Sequence, residues 1–270
     1  MPYKKINGAN LYYEEHGAGE ETIVFSHGLL MSGDMFSDQV RELSSSYRCI
    51  SFDHRGQARS QVTASGYDMN SLTDDAAALI QALDASPCHF AGLSMGGFVG
   101  MRLAIRKPEL LRSLILMETT ADPEPPQNRG PYRKLAFIGR WLGFRLVVDR
   151  LMNIMFSQSF LNNPEKGKAR EHWREHLLGL NKKGTSRAAH AVIDRQGVYD
   201  ELDRIDLPTL IMVGDEDVAT VPAKSERMHA AIRESKLVLI PQAGHSASIE
   251  EPEAVTRAIG EFLMEQRRTV

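Results

Sequence analysis

Apolar positions along this chain fall into two alternating rhythms. Continuous β-branched and aromatic runs recur in ETIVFSHG, YRCISFDHRG, PCHFAGLSMGG, RSLILMETT, PTLIMVGDED and KLVLIPQAGH. Short runs of this kind, closed abruptly by glycine or charge, predict strands buried on both faces. The opening ANLYYEEHG alternates instead, as an antiparallel edge strand or hairpin arm does. Between the runs lie stretches with helical spacing. Ser71 to Leu83 is one, with Ser71 as its expected N-cap, and Gly96 to Lys107 is another, ended by Pro108. Strands alternating with helices imply a mostly parallel α/β sheet covered on both faces.

The rhythm breaks between Asp122 and Arg204. That region opens on the loop-forming ADPEPPQNRGP and continues in helical segments, expected at Tyr132 to Arg150, Leu151 to Phe160 and Lys166 to Leu180. Strand-helix alternation resumes at Leu207. The economical reading is one α/β core, residues 1–121 and 205–270, with a helical insertion, 122–204, between strands.

Composition narrows the partners. At 270 residues the chain is long enough to bury about three-quarters of its unfolded surface without a metal or disulfide scaffold. A net charge of −3 gives no reason to expect nucleic acid or an anionic membrane as partner. Cys49 and Cys88, the 2 cysteines, open apolar runs and read as reduced structural thiols. The N-terminal stretch lacks the apolar core of a signal peptide, and no apolar run approaches the ~20 residues of a membrane span. A cytoplasmic protein with a small-molecule partner is the expectation; monomer and homodimer both remain open.

The chemistry begins at Gly92-Leu93-Ser94-Met95-Gly96, a G-x-S-x-G between a strand-like run and a helical one. A serine held on a sharp strand-to-helix turn needs small neighbours, because bulkier ones collide with the adjacent strand and helix. That turn aims the hydroxyl out of the sheet. It also puts the Met95 amide, at a helix N-terminus, where an oxyanion forms.

A serine hydroxyl needs a base. Of 9 histidines, His172, His176 and His190 fall among charged residues of the insertion and read as solvated, as does His229. His16, His54 and His89 lie in or beside strands without chemistry of their own. His245 follows a strand through Pro-Gln-Ala-Gly, which brings it to the carboxyl edge of the sheet with Ser94. The orienting acid belongs before the histidine in the chain. Asp217 is the choice, because it lies far enough past the strand Thr209 to Val213 to reach His245; Asp215 and Glu216 read as solvated loop residues, and Glu118 is a rival from the preceding strand. The second oxyanion donor is expected at the Leu29 amide, after Gly28. His27, and Asp53 with Arg55, read as braces of the neighbouring loops.

Taken in order, His27-Gly28, Asp53-His54-Arg55-Gly56-Gln57-Ala58-Arg59-Ser60, Gly92 to Gly97, Gly214-Asp215-Glu216-Asp217 and Gly244-His245 make the chain resemble the α/β-hydrolase superfamily along nearly its whole length. Within it the chain resembles small carboxylesterases, 3-oxoadipate enol-lactonases and cofactor-free haloperoxidases. The resemblance implies an eight-stranded sheet with a helical cap over the site. Ala58 stands where the group often has a second glycine, which puts the local loop geometry in question. A serine at the elbow departs from the dehalogenases and epoxide hydrolases, which use aspartate there.

The insertion is rich in large apolar residues, and most of these are expected to pack it onto the core. Trp141, Phe144, Met152 and Met155 are the candidates for an apolar pocket wall. Arg133, Lys134, Arg140 and Arg145 either steer a carboxylate or form a solvated face. The expectation is therefore acyl transfer on small-to-medium hydrophobic esters, with Ser94, His245 and Asp217 as triad and no cofactor or metal. A lactonase, a perhydrolase or haloperoxidase, and a non-catalytic receptor on the same fold are the alternatives.

Overall fold

The computed structural model describes residues 2–268. The expected alternating opening is a hairpin, β1 (Tyr3–Ile6) and β2 (Ala9–His16). The continuous apolar runs become β3 (Thr22–Ser26), β4 (Arg48–Phe52), β5 (Cys88–Leu93), β6 (Leu111–Met117), β7 (Thr209–Gly214) and β8 (Ser235–Ile240). They form one 8-stranded sheet in the order β1-β2-β4-β3-β5-β6-β7-β8, parallel from β4 onward and antiparallel where β2 meets β1 and β4. Strand order reverses between β3 and β5. Crevices at such switch points are where open α/β sheets carry their sites.

The helices that cover the sheet are α1 (Ser37–Leu43), α2 (Met69–Ala82), α3 (Met95–Arg106), then α4 (Pro126–Trp141), α5 (Val148–Met155), α6 (Gln158–Asn162), α7 (Gly167–Leu178) and α8 (Lys182–Ile193), and finally α9 (Pro222–Ala231), α10 (Ala247–Glu250) and α11 (Pro252–Arg268). Alternate residues of β3 explain why both faces are apolar. Ile23 and Phe25 join α1, α11 and the inserted helices on one side; Val24 joins α2 and α3 on the other. The insertion shares its apolar body with the sheet, since Phe144, Val148, Met155 and Trp173 belong to the same buried cluster as Phe25 and Met117. Its two ends are pinned together where the Val198 amide donates to the Ala121 carbonyl at 2.8 Å. Among the described residues no helix is long and apolar enough to cross a membrane.

Three local expectations are corrected. The N-cap of α2 is Asp68, whose carboxylate accepts from the Ser71 amide at 3.0 Å, so the helix starts two residues before Ser71. Tyr132 to Arg150 is not one helix: it breaks at Gly143, whose φ of +103° leaves the helical region. Leu151 to Phe160 is not one helix either: α5 ends at Met155, Phe156 is extended, and Ser157 caps α6, accepting from the Phe160 amide at 2.9 Å.

Candidate active site

Ser94 stands between β5 and α3 with φ 51° and ψ −109°, a conformation side chains rarely adopt. Close approach on both sides holds it there. A Cβ at Gly92 would overlap the Gly96 carbonyl, and one at Gly96 would overlap the Ser26 carbonyl of β3. Only glycine fits either position, so the hydroxyl is carried at the carboxyl edge of the sheet.

Two later strand ends converge on it. His245, in the loop after β8, places Nε2 2.9 Å from Ser94 Oγ. Its Nδ1 lies 2.9 Å from Asp217 Oδ2, after β7. An ionised carboxylate only accepts, so the ring proton sits on Nδ1 and Nε2 presents a lone pair to the serine O–H. Asp217 also accepts from the Ala219 amide (2.8 Å), the Thr220 amide (3.0 Å) and the Thr220 hydroxyl (2.7 Å). Burial pushes its pKa up, but His245 and the Thr220 donors outweigh burial and hold it below the ordinary range.

Glu118, the alternative acid, follows β6 directly, in a left-handed conformation of φ 42°. It is fully buried, and neither carboxyl oxygen has a partner within hydrogen-bond geometry. Burial, with Asp217 and Glu250 nearby, raises its pKa well above the ordinary carboxylate value. Burial thus favours the neutral form of Glu118, which makes no bond to His245.

The Leu29 and Met95 amides flank the same crevice. Gly28 packs against Leu93 and Ser94, which brings the loop after β3 up to the elbow. Met95 is the first residue of α3, so its amide has no partner within the helix, and the Leu29 amide donates to no protein group among the described residues. The bracing residues lie underneath. His27 donates from Nδ1 to the Gly28 carbonyl at 2.7 Å and accepts at Nε2 from the His54 amide at 2.9 Å. Asp53 braces through Arg59 at 2.7 Å rather than through Arg55, which instead pairs with Asp75 of α2 at 2.8 Å.

A cavity of about 130 Å³ opens onto Ser94 and His245, walled by Leu29, Phe144, Leu151, Met155 and α8. An apolar cavity of roughly 150 Å³ accommodates benzene, so this one has room for one small organic group. Phe144 and Met155 line it. Trp141 does not: it is 65% exposed, because the break at Gly143 turns α4's last residues outward, under the Arg140 guanidinium. Phe137, Leu142 and Leu146 are likewise exposed rather than packed on the core. Met152 is buried in the core beneath α5 and is not part of the cavity wall. Arg133 pairs with Asp194 at the surface, and Arg145 is exposed.

Several contributors escape sequence reasoning. His176 is not solvated: its Nε2 lies 3.0 Å from the Leu30 carbonyl, tying α7 to the loop after β3. Glu216 accepts from the Ser159 amide at 3.1 Å and so holds α6. Glu250 accepts from the Gly244 and Ser246 amides on either side of His245. In the cavity wall, Arg195 pairs with Glu124 at 2.8 Å, both largely buried. None of these carries a local motif.

A strained serine elbow at the carboxyl edge of a doubly wound sheet, under inserted helices, is an architecture of hydrolytic enzymes. The chain belongs to the α/β-hydrolase-fold family, whose model matches residues 21–252. It is similar to a thermophilic esterase of Thermogutta terrifontis, with TM-score 0.92 and 31% identity over 98% of this chain and 99% of that one. The enol-lactonase of Burkholderia xenovorans LB400 superposes with TM-score 0.91 at 27% identity, covering 97% of this chain and 100% of the other. The Pseudomonas syringae protein named "putative carbamate hydrolase RutD" is 29% identical over 263 residues, 95% of this chain and all of that protein. The chain is a hydrolase of the α/β type.

Proposed function

We propose that the chain cleaves carboxylic esters of short acyl chains through an acyl-enzyme on Ser94. One observation carries the reading: an unbroken line from Asp217 through His245 to Ser94, with the imidazole lone pair 2.9 Å from the serine oxygen. His245 Nε2 takes the Ser94 proton as Oγ bonds to the carbonyl carbon, and the carbonyl π pair moves onto oxygen. The Leu29 and Met95 amides receive that oxyanion. Collapse expels the alkoxide, which leaves as alcohol with the proton from Nε2. Water, deprotonated by the same nitrogen, then attacks the acyl-enzyme, and the acid departs as Ser94 recovers its proton. The small apolar cavity supports a hydrophobic acyl group.

The test is hydrolysis of p-nitrophenyl esters of graded length, with labelling by a fluorophosphonate probe. Ester turnover and labelling lost together in Ser94→Ala support the reading; a Ser94→Ala protein that hydrolyses at the parent rate overturns it. The enol-lactonase and the protein named "putative carbamate hydrolase RutD" among the similar proteins support a second arm, since the same attack opens a lactone or carbamate carbonyl. Lactones and alkyl carbamates therefore belong in the panel.

A further inference from the structure

The Arg195–Glu124 pair is not explained by a hydrophobic ester. Arg195 follows α8, and its Cζ lies 4.2 Å over the ring of Phe98, one helical turn past Ser94. Nη1 is committed to Glu124 Oε2 and the Val192 carbonyl, each at 2.8 Å. The other Glu124 oxygen accepts from Asn128 at 3.0 Å. Nε is buried without an acceptor, and Nη2 has none among the described residues. A guanidinium has five N–H donors, so three remain uncommitted on a side chain that lines the same cavity as Ser94 and His245. Of these only Nε is buried without a partner, and a buried donor is costly to leave unmatched.

We propose that this wall is a polar subsite for a neutral hydrogen-bond acceptor in the substrate, a ketone or amide carbonyl a few bonds from the scissile group. Arg195 is the donor. Glu124 is the counter-charge that makes the wall electrically neutral and discriminates against carboxylates. The assignment deepens the reading of Ser94 as an acyl-transfer nucleophile and rests on it. A hydrocarbon chain strips the uncommitted donors of any partner without replacing it. A carboxylate brought to Arg195 also comes near Glu124, in a poorly screened environment. A neutral carbonyl escapes both penalties.

The experiment compares kcat/KM for p-nitrophenyl hexanoate, its 4-oxo and 5-oxo analogues and the adipate half-ester, in the parent protein, Arg195→Met and Glu124→Gln. One oxo ester should exceed hexanoate by at least about tenfold in the parent, because sites built to hydrogen-bond a group reject the analogue lacking it. Arg195→Met should bring that ratio close to one. Glu124→Gln should raise the half-ester, relative to hexanoate, by about tenfold or more, because Arg195 is then uncompensated. A parent ratio near one, or the same ratio in Arg195→Met, overturns the subsite. If Arg195→Met does not fold, the parent ratio and Glu124→Gln decide. Calorimetric binding of 4- and 5-oxohexanamide against hexanamide to Ser94→Ala keeps the two claims separate. A protein that turns over no ester, yet prefers an oxo amide, overturns the ester reading and keeps the subsite; equal affinities overturn the subsite.

Discussion

Asp217 receives the Ala219 and Thr220 amides, the Thr220 hydroxyl and His245 Nδ1, so its orientation is over-determined. Asp217→Asn keeps the shape but lets the amide donate toward Nδ1, which turns the imidazole to the wrong tautomer. On the triad reading, kcat falls by about 10⁴-fold, measured by steady-state ester hydrolysis with fold checked by circular dichroism. A loss of less than about tenfold would remove Asp217 from the proposed mechanism. Ala58 offers a test of a different kind. It occupies φ 41° on an exposed loop, where a Cβ costs roughly 1 kcal/mol. Ala58→Gly removes that strain and adds unfolded-chain freedom of about 0.4–1 kcal/mol. Urea unfolding should show stability unchanged or raised by up to about 1 kcal/mol; a clear loss contradicts strain at this position. Residues with local grammar were legible in the sequence: Ser94 between glycines, Asp217 and His245 a few residues past apolar runs. Arg195 and Glu124 were not, because the partners are 71 positions apart and each looks like an ordinary solvated charge.

Among the elements, the strands were legible because burial on both faces leaves an unbroken apolar run. The cap was legible in kind but not in detail. Its helix ends depend on Gly143, and its wall depends on tertiary partners: the amphipathic pattern that names Trp141 as a pocket residue does not say which way the broken helix turns. The short α10 shows how much work one buried side chain does across elements. Glu250 accepts from Ser157 in the cap at 2.8 Å and from Gly244 and Ser246 at 3.1 and 3.0 Å, and so holds the His245 loop against the cap. Glu250→Ala orphans three buried amides and should cost roughly 3 kcal/mol or more. It should also lower kcat more than it raises KM, since the imidazole loses its support while the apolar pocket stays. Urea unfolding and steady-state kinetics read both; a stability change within about 0.5 kcal/mol denies the clamp.

At the scale of the whole molecule, buried titratable groups set how stability varies with pH. Burial depresses His27, His54, His89 and His176 below the ordinary value of 6.5. A depressed histidine contributes stability above the unfolded pKa that is lost as pH falls, because the unfolded chain binds the proton first. Asp217, with its lowered pKa, adds to the acid loss below about its unfolded value of 3.8. Glu118 and Glu250 act in the opposite sense. Burial raises both above 4.5, so the stability they contribute is complete below that pH and drains away as pH rises toward and through their folded values. Between 4.5 and 6.5 the histidines and the glutamates act in opposite senses; above 6.5 the histidine contribution is complete, and Glu118, raised well above 4.5, drains stability as pH rises. The unfolding free energy should therefore decline on the alkaline side of pH 6.5, by up to about 1.4 kcal/mol per pH unit while Glu118 stays protonated in the folded protein. Glu118→Gln isolates one contribution, since the amide is neutral at every pH and nearly the same shape. Its stability relative to the parent should grow steadily from pH 5 to pH 8 in urea titrations. A gap that stays constant over that range means Glu118 is ionised in the folded protein, and a buried charge without a partner beside Asp217 is what the geometry argues against.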